Sequence, residues 1–524
     1  MNTSAALTLS NDIEKAFNTN SSTASWVLSG YALTLGSFIL ITGKLADIIG
    51  PDNIFLIGLS VIWICSLICA CIPHSSVVAL IVIRALQGVG ASALVPSTVA
   101  LAANYFTGKL SKYLAPALGG FIIALTGIFG VGVTIGGAFS ETSTGYRGFF
   151  WFVFAYGLIL NIILLFLIIL VDRKDGEDKM ELKNIDFVAG FLVIAGVLLI
   201  ILGLTEGAEN WRSPKAYISL IVGFFAFLSS LGFEIIYLKR FQRKNQNKDK
   251  STDWRLQVEL LFPPEIIKIP NFLPILIQCG MYYATFTMVI VIGINYFTFI
   301  EGNTPIIVAI KVLPLPVGLV FGALAYRTSY YNRVGLKNML ILSSAICLGM
   351  CVWFSRIDYK SDNSYWKFGF VSLFLYGYGI NMFFNIYFSV VVSNTPLHLQ
   401  GVVNGIYQTC GQVLLSIGNA LVPSILGNLE VATTEQAKQK LFNKFQTIFY
   451  VVLAFHAVMF LIMVFLVRNH QKENESDDRI DEEDVLGEEK KQDDDCECHV
   501  READSGTESR NSRTNLSYLD ARSV

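Results

Sequence analysis

The hydrophobic pattern of this chain is not the one-sided stripe of a soluble helix. Apolar runs of about 18 residues or more recur along most of it, separated by short polar breaks, and runs of that length and uniformity predict transmembrane helices. Thirteen spans follow, near 26–43, 54–72, 77–103, 114–139, 149–171, 186–204, 217–238, 271–299, 305–326, 339–354, 368–393, 402–427 and 447–467. Their connections are short apart from 239–270, which contains "KRFQRKNQNKDK". The opening "MNTSAALTLSNDI" is too short and polar to cross a bilayer about 30 Å thick. It reads as the tail end of a helix, within an extracellular remnant, 1–25.

Composition supports the same picture. Of 524 residues, 53% are hydrophobic and only 15% charged, where a soluble chain carries about a quarter. The net charge of −2 hides an asymmetry. The segment 468–524 holds 18 acidic and 9 basic residues, against 23 and 30 in the rest. That tail is expected to be disordered, solvated and cytoplasmic, a place for regulators to bind.

Orientation follows from Lys and Arg in the loops. With Lys44 and the other residues of the first loop in the cytoplasm, cytoplasmic loops hold 18 basic residues and the opposite side 9. The cysteines form no framework, and most lie in apolar runs, where Cys acts as a small hydrophobe. "CECH" (Cys496, Cys498, His499) lacks a second ligand pair at finger-like spacing, so no metal is expected. No P-loop, nucleophile–base arrangement or metal-spaced His/Glu set is present. The reading is therefore a non-enzyme without cofactor, embedded in the lipid bilayer and without a nucleic-acid partner.

Five motifs, in order, carry a resemblance. "SWVLSGYALTLGSFILITGKLADIIG" supplies Trp26, Tyr31, Leu33, Gly43, Leu45, Asp47 and Gly50. "LIVIRALQGVGASALVP" supplies Arg84, Gln87, Gly88 and Gly90. "YRGFFW" begins at Tyr146, and "DFVAGFLVIAGVLLIILGLTEGAENWRSP" runs from Asp186 to Pro214. "SYWKFGF" is followed by "LQGVVNGIYQTCGQVLLSIGNA". Together these resemble the major facilitator superfamily. They are most similar to the fungal fourteen-helix drug:proton antiporter branch that includes aminotriazole-resistance and low-affinity ammonium transporters. The first helix is apparently truncated.

The resemblance implies an all-α polytopic fold of two six-helix-type bundles plus an extra central helix pair. The N-terminal bundle would be 26–171, the linker and extra pair 172–238, the cytoplasmic basic loop 239–270 and the C-terminal bundle 271–467. It implies a secondary transporter of a small polar or cationic solute or drug, working by alternating access and coupled to protons. The membrane would be the plasma or vacuolar one. The alternative is a non-transporting, receptor-like member, favoured by the altered loop after Gly50, where Pro51, Asp52 and Asn53 replace the family's basic residues.

The same resemblance marks Gly43, Leu45, Asp47 and Gly50 as gate residues. It adds Gly132, Gly136 and Gly137 of "IFGVGVTIGG", although Val133 stands where the antiporter motif has proline. "APALGG" (Ala115 to Gly120) is a second candidate for that motif. Arg84 and Gln87 would be cavity or proton-linked residues, because a charge inside an apolar helix needs a polar cavity or a partner. Polar residues at membrane depth are the candidates for solute lining: Gln278, Tyr282, Tyr283 and Asn295; Asn381 and Asn385; and Asn404, Gln408 and Gln412. Asparagine and glutamine at spacings of four share a helix face, and interhelical hydrogen bonding accounts for them equally well. Lys311 reads as a snorkelling cation and His456 as a packed histidine. No carboxylate lies centrally in the thirteen spans; Asp186, Glu206 and Glu234 sit at span ends.

Overall fold

A computed structural model of the chain describes residues 2–19, 21–73, 76–106, 113–170, 186–245, 253–258, 260–325, 333–361, 363–395, 399–427 and 434–468. The segment 468–524, with Cys496, Cys498 and His499, thus lies outside the described residues apart from Arg468. Each of the thirteen spans coincides with a helix. They are α2 (Ser21–Ile49), α3 (Pro51–Cys71), α4 (Val77–Tyr105), α5 (Leu114–Ser140), α6 (Gly145–Leu170), α7 (Phe187–Glu209) and α8 (Pro214–Leu231). After α8 the chain passes through a π-helical turn, Gly232–Leu238, into α9 (Lys239–Lys244) and the short α10 (Trp254–Gln257). Then come α11 (Phe272–Asn295), α12 (Pro305–Val312), α13 (Pro314–Ala325), α14 (Leu336–Phe354), α15 (Val371–Asn394), α16 (Gln400–Leu426) and α17 (Glu435–Phe465). The span at 305–326 is broken between α12 and α13, where Pro314 and Pro316 remove backbone donors.

Local chemistry sets the helix ends. Ser76, Asp186 and Thr434 cap α4, α7 and α17 by accepting from the backbone N–H three residues on. Between α2 and α3, Gly50 has φ +102°, which only glycine adopts without strain, and Pro51 opens the next helix. Asp52 then lies in the first turn of α3, where the helix dipole favours a carboxylate, and accepts from Tyr105 Oη at 3.0 Å. Asn53 donates to Ile49 O at 3.1 Å. Pro51, Asp52 and Asn53 are therefore a helix start.

The opening residues are helical: Asn2–Phe17 form α1, which packs against α2, α5 and α6. Ala5, Leu9 and Ile13 repeat every four residues, so they fall on one face. That face is buried with Val27, Tyr31, Tyr146, Phe149 and Phe150. Asp12 Oδ2 accepts the backbone N–H of Tyr146 at 2.6 Å and so holds α1 to the start of α6.

Helices α1–α6 form one bundle and α11–α17 another, each with its own aromatic-rich core. Eleven helical stretches among the described residues are long and apolar enough to cross a membrane, and α2 and α5 reach 29 and 27 residues. In lipid, helix association rests on close packing, because leaving the solvent gains an apolar side chain little. Glycine provides that closeness. A Cβ at Gly88 would fall on Thr34 Oγ1 and Tyr31 O of α2, and one at Gly90 would lie 2.7 Å from Val61 of α3. Gly120 on α5 has nothing within 4 Å of the same position.

Gly88→Ala should destabilise the protein by about 1–3 kcal/mol, the usual cost of overpacking. Gly120→Ala should be neutral or stabilising by up to about 1 kcal/mol through helix propensity. Thermal unfolding followed by size-exclusion in detergent distinguishes the two. Equal midpoints for the two variants would show that α2 and α4 do not meet through Gly88.

Candidate functional site

Two polar constellations and one glycine-lined apolar seam lie along the helices. The first centres on Arg84, fully buried on α4. Its Nε donates to Val27 O at 3.2 Å, Nη1 to Gln87 Oε1 at 2.6 Å and Nη2 to Asn2 O at 3.3 Å. The guanidinium lies 4.5 Å from the Tyr31 ring centre and 5.8 Å from that of Phe150. Gln87 in turn donates to Ile62 O and Ser66 Oγ of α3. The cation is thus held by carbonyl dipoles, an amide and two aromatic faces. It ties α1, α2, α4 and α6 together, with Gln87 extending the network to α3, in the interior of the first bundle.

The second constellation fills the core of the second bundle. Tyr282 Oη bonds to Ser343 Oγ at 3.0 Å, and its ring stacks on Phe383 at 4.2 Å. Gln278 Nε2 reaches Ser344 Oγ at 3.4 Å. His456 Nε2 meets Tyr376 Oη at 3.0 Å, so the histidine is packed, and its Nδ1 is unpartnered.

The neighbouring Tyr283 points elsewhere. Its Oη donates to Gln408 Oε1 at 2.7 Å, and its ring meets Phe384 edge-on at 5.4 Å. One turn along α16, Asn404 Oδ1 accepts from Tyr387 Oη at 3.1 Å. The side-chain nitrogens of Asn404 and Gln408 are buried and have no partner. Tyr283, Tyr387, Asn404 and Gln408 therefore form a ladder between α11, α15 and α16 with two free amide donors. Gln412, read as sharing this face, instead meets α2: a Cβ at Gly36 would lie 2.8 Å from Gln412 Cβ. Asn381 faces α13 at Gly322 and accepts from Asn385 on its own helix. Asn295 is half-buried at the end of α11, about 18 Å along the axis from Tyr283.

The third feature is the seam between the bundles. On α2, Gly36 meets Gln412, and Leu40 packs against Gly405 of α16. Leu40 also shares a cluster with Val193, Val197 and Ile201 of α7 and with Ile406 and Val413 of α16. The hairpin α7–α8 therefore covers the seam and touches both sides. At the turn between α7 and α8, Trp211 Nε1 donates to Ser424 Oγ of α16 at 2.9 Å.

Of the residues that the resemblance marks for the gate, Gly43 and Leu45 lie along the last turns of α2, Gly50 lies between α2 and α3, and the side chain of Asp47 is outside the described residues. Gly132, Gly136 and Gly137 are buried on α5, which packs against α1 and α13. Lys311 pairs with Glu301 and lies beside the rings of Phe297 and Tyr365.

Two carboxylates that the sequence places at span ends prove fully buried, Asp186 and Glu234. Burial pushes the Asp186 carboxyl above its ordinary value, against the backbone N–H groups of Ala189 and Val188, which favour the charged form. The signal for Glu234 is an acid inside the apolar run "LGFEIIYL".

Known proteins match this architecture. The model of the Major Facilitator Superfamily matches residues 1–188 and 184–419. A low affinity ammonium transporter of Saccharomyces cerevisiae is 24% identical over 78% of this chain and 74% of its own length. An efflux pump of Aspergillus terreus, terJ, is 25% identical over 76% and 72%. Among solved structures, the proton:xylose symporter XylE superposes with a TM-score of 0.56 over 89% of this chain and 92% of that one, at 12% identity. That last likeness speaks for the fold alone. The chain belongs to the major facilitator superfamily and is a multi-pass membrane transporter, not an enzyme.

Proposed function

We propose that this protein is a secondary active transporter of a small polar or cationic solute, working by alternating access and driven by a proton gradient. The observation that carries the reading is the ladder of Tyr283, Tyr387, Asn404 and Gln408. It keeps two unpaired amide donors at membrane depth on α16, the helix that also forms the seam with α2. An unpaired buried donor costs about 1–3 kcal/mol, and a solute acceptor reaching it would recover that cost. The ammonium named for one relative falls within this solute class, and a second relative is named an efflux pump. The basic bias of the loops supports a cytoplasmic C-terminal tail, open to regulators, in a plasma or vacuolar membrane.

Cells lacking and overexpressing the protein should differ in uptake of methylammonium or in export of ethidium, and a protonophore should abolish the difference. No difference with either probe, together with normal surface expression, would favour a receptor-like member.

For whichever probe is moved, Tyr283→Phe and Gln408→Ala should each raise KM about tenfold, the worth of one hydrogen bond of about 1.4 kcal/mol. An unchanged KM in both would take the solute path away from this ladder.

Arg84→Ala should reduce transport at least about tenfold, because its partners are left as unpaired buried acceptors. Arg84→Lys should retain part of the rate. Wild-type transport by Arg84→Ala would remove any role for the buried cation.

A further inference from the structure

Among the described residues between the α7–α8 hairpin and the second bundle, several are tied down. From α9, Gln242 Nε2 donates to Arg255 O at 3.0 Å and to Val258 O at 2.8 Å. Arg255 donates to Tyr237 Oη at 2.6 Å and lies 4.3 Å from the Phe241 ring centre. Val258 and Leu261 are 4% and 1% exposed. Phe262 packs edge-on against Phe227 of α8 at 6.4 Å and joins the Leu40 cluster at the seam.

One side chain fastens this strap. Glu234, on the π-helical turn after α8, accepts the backbone N–H of Leu261 at 2.8 Å on Oε1 and that of Phe262 at 2.9 Å on Oε2. Both carboxylate oxygens are thus committed to two consecutive residues of the strap. Lys44 of the "GKLAD" stretch, 4% exposed, and Asp186 at the start of α7 lie within electrostatic range of the same carboxylate. The wide turn aims Glu234 inward, although it sits among the lipid-facing Ile235, Ile236 and Tyr237.

We propose that Glu234 is a positioning residue of the gate: it fastens Leu261 and Phe262 over the α7–α8 hairpin and so holds the seam between α2 and α16 closed at its Lys44 end. This rests on the transport reading, because a gate matters only in a protein that alternates. The physical chain is short. The hairpin touches both α2 and α16, the strap covers the hairpin's end, and Glu234 holds the strap. Freeing two charge-assisted hydrogen bonds therefore loosens the wedge that spans the seam. Both oxygens of the acid are taken up by the strap, and it sits at the end of the hairpin, on a different helix from the ladder on α16.

The test uses the full chain in liposomes, with native cysteines replaced except Cys279 and with Leu40→Cys as a reporter at the seam. Labelling by N-ethylmaleimide needs no solute, so its outcome is independent of whether a transported probe has been found. Glu234→Ala should raise the labelling rate at position 40 about tenfold or more, the loss expected from charged hydrogen bonds. Glu234→Gln, which keeps the volume and one acceptor, should give a smaller rise. Cys279, fully buried in the second bundle, should stay protected in both. Unchanged labelling at position 40 in both variants would overturn the proposal. So would a parallel rise at Cys279 in Glu234→Gln, which would mean that the carboxylate supports the whole fold and not the seam.

Discussion

The close approach of α2 to its neighbours is the constraint on which the rest depends. In a bilayer the helices gain little by hiding apolar surface from one another, so adhesion comes from contact at short range. Helix α2 meets α4 at Gly88, where its own Thr34 Oγ1 also donates to Ala85 O at 2.6 Å. It meets α16 at Gly36 and Gly405. Half of α2 is therefore bound to the first bundle by a hydrogen-bonded, glycine-lined contact. The other half touches the second bundle by glycine contacts. A contact built on packing alone separates at lower cost, because no polar group is left unpaired when it opens.

Polar groups in the bundles follow the same division. Arg84 has each of its donor nitrogens paired within the first bundle, and Gln87 extends the network to a third helix. Such a network stiffens a bundle, because every partner would be left unsatisfied in lipid by a shift. The ladder on α16 is different. Each amide oxygen is satisfied by a tyrosine, and each amide nitrogen is free. A site half satisfied by protein is one that a solute can complete, whereas the Arg84 network is already closed.

Much of this was legible in the sequence, and the failures have physical causes. Span positions come from length and uniform hydropathy, which the bilayer imposes on every crossing helix. The glycine pairs of "RALQGVG" could be read as packing devices. Which side a residue faces could not be read. Tyr282 and Tyr283 are adjacent and lie in a run that is apolar all round, so no stripe records that one faces the bundle core and the other α16. The burial of α1 was missed because polar residues dominate its composition, although the period of Ala5, Leu9 and Ile13 was present.

The position of the acids bears on how an energy source can act here. A carboxylate in mid-membrane would titrate along the solute path, and none was evident in the sequence. The two buried acids of the hairpin sit instead beside the "GKLAD" turn, one capping α7 and one holding the strap. A charge change there cannot alter solute affinity directly, because α16's ladder lies on different helices. It can alter only the balance between states, through the hairpin's grip on α2 and α16. A population shift needs differential interaction with the two states and nothing more. A fastened strap in one state and a released strap in the other would supply it. On the proposal made above, the α7–α8 hairpin would be the element through which chemistry at its Lys44 end reaches the seam, with Glu234 as its point of attachment.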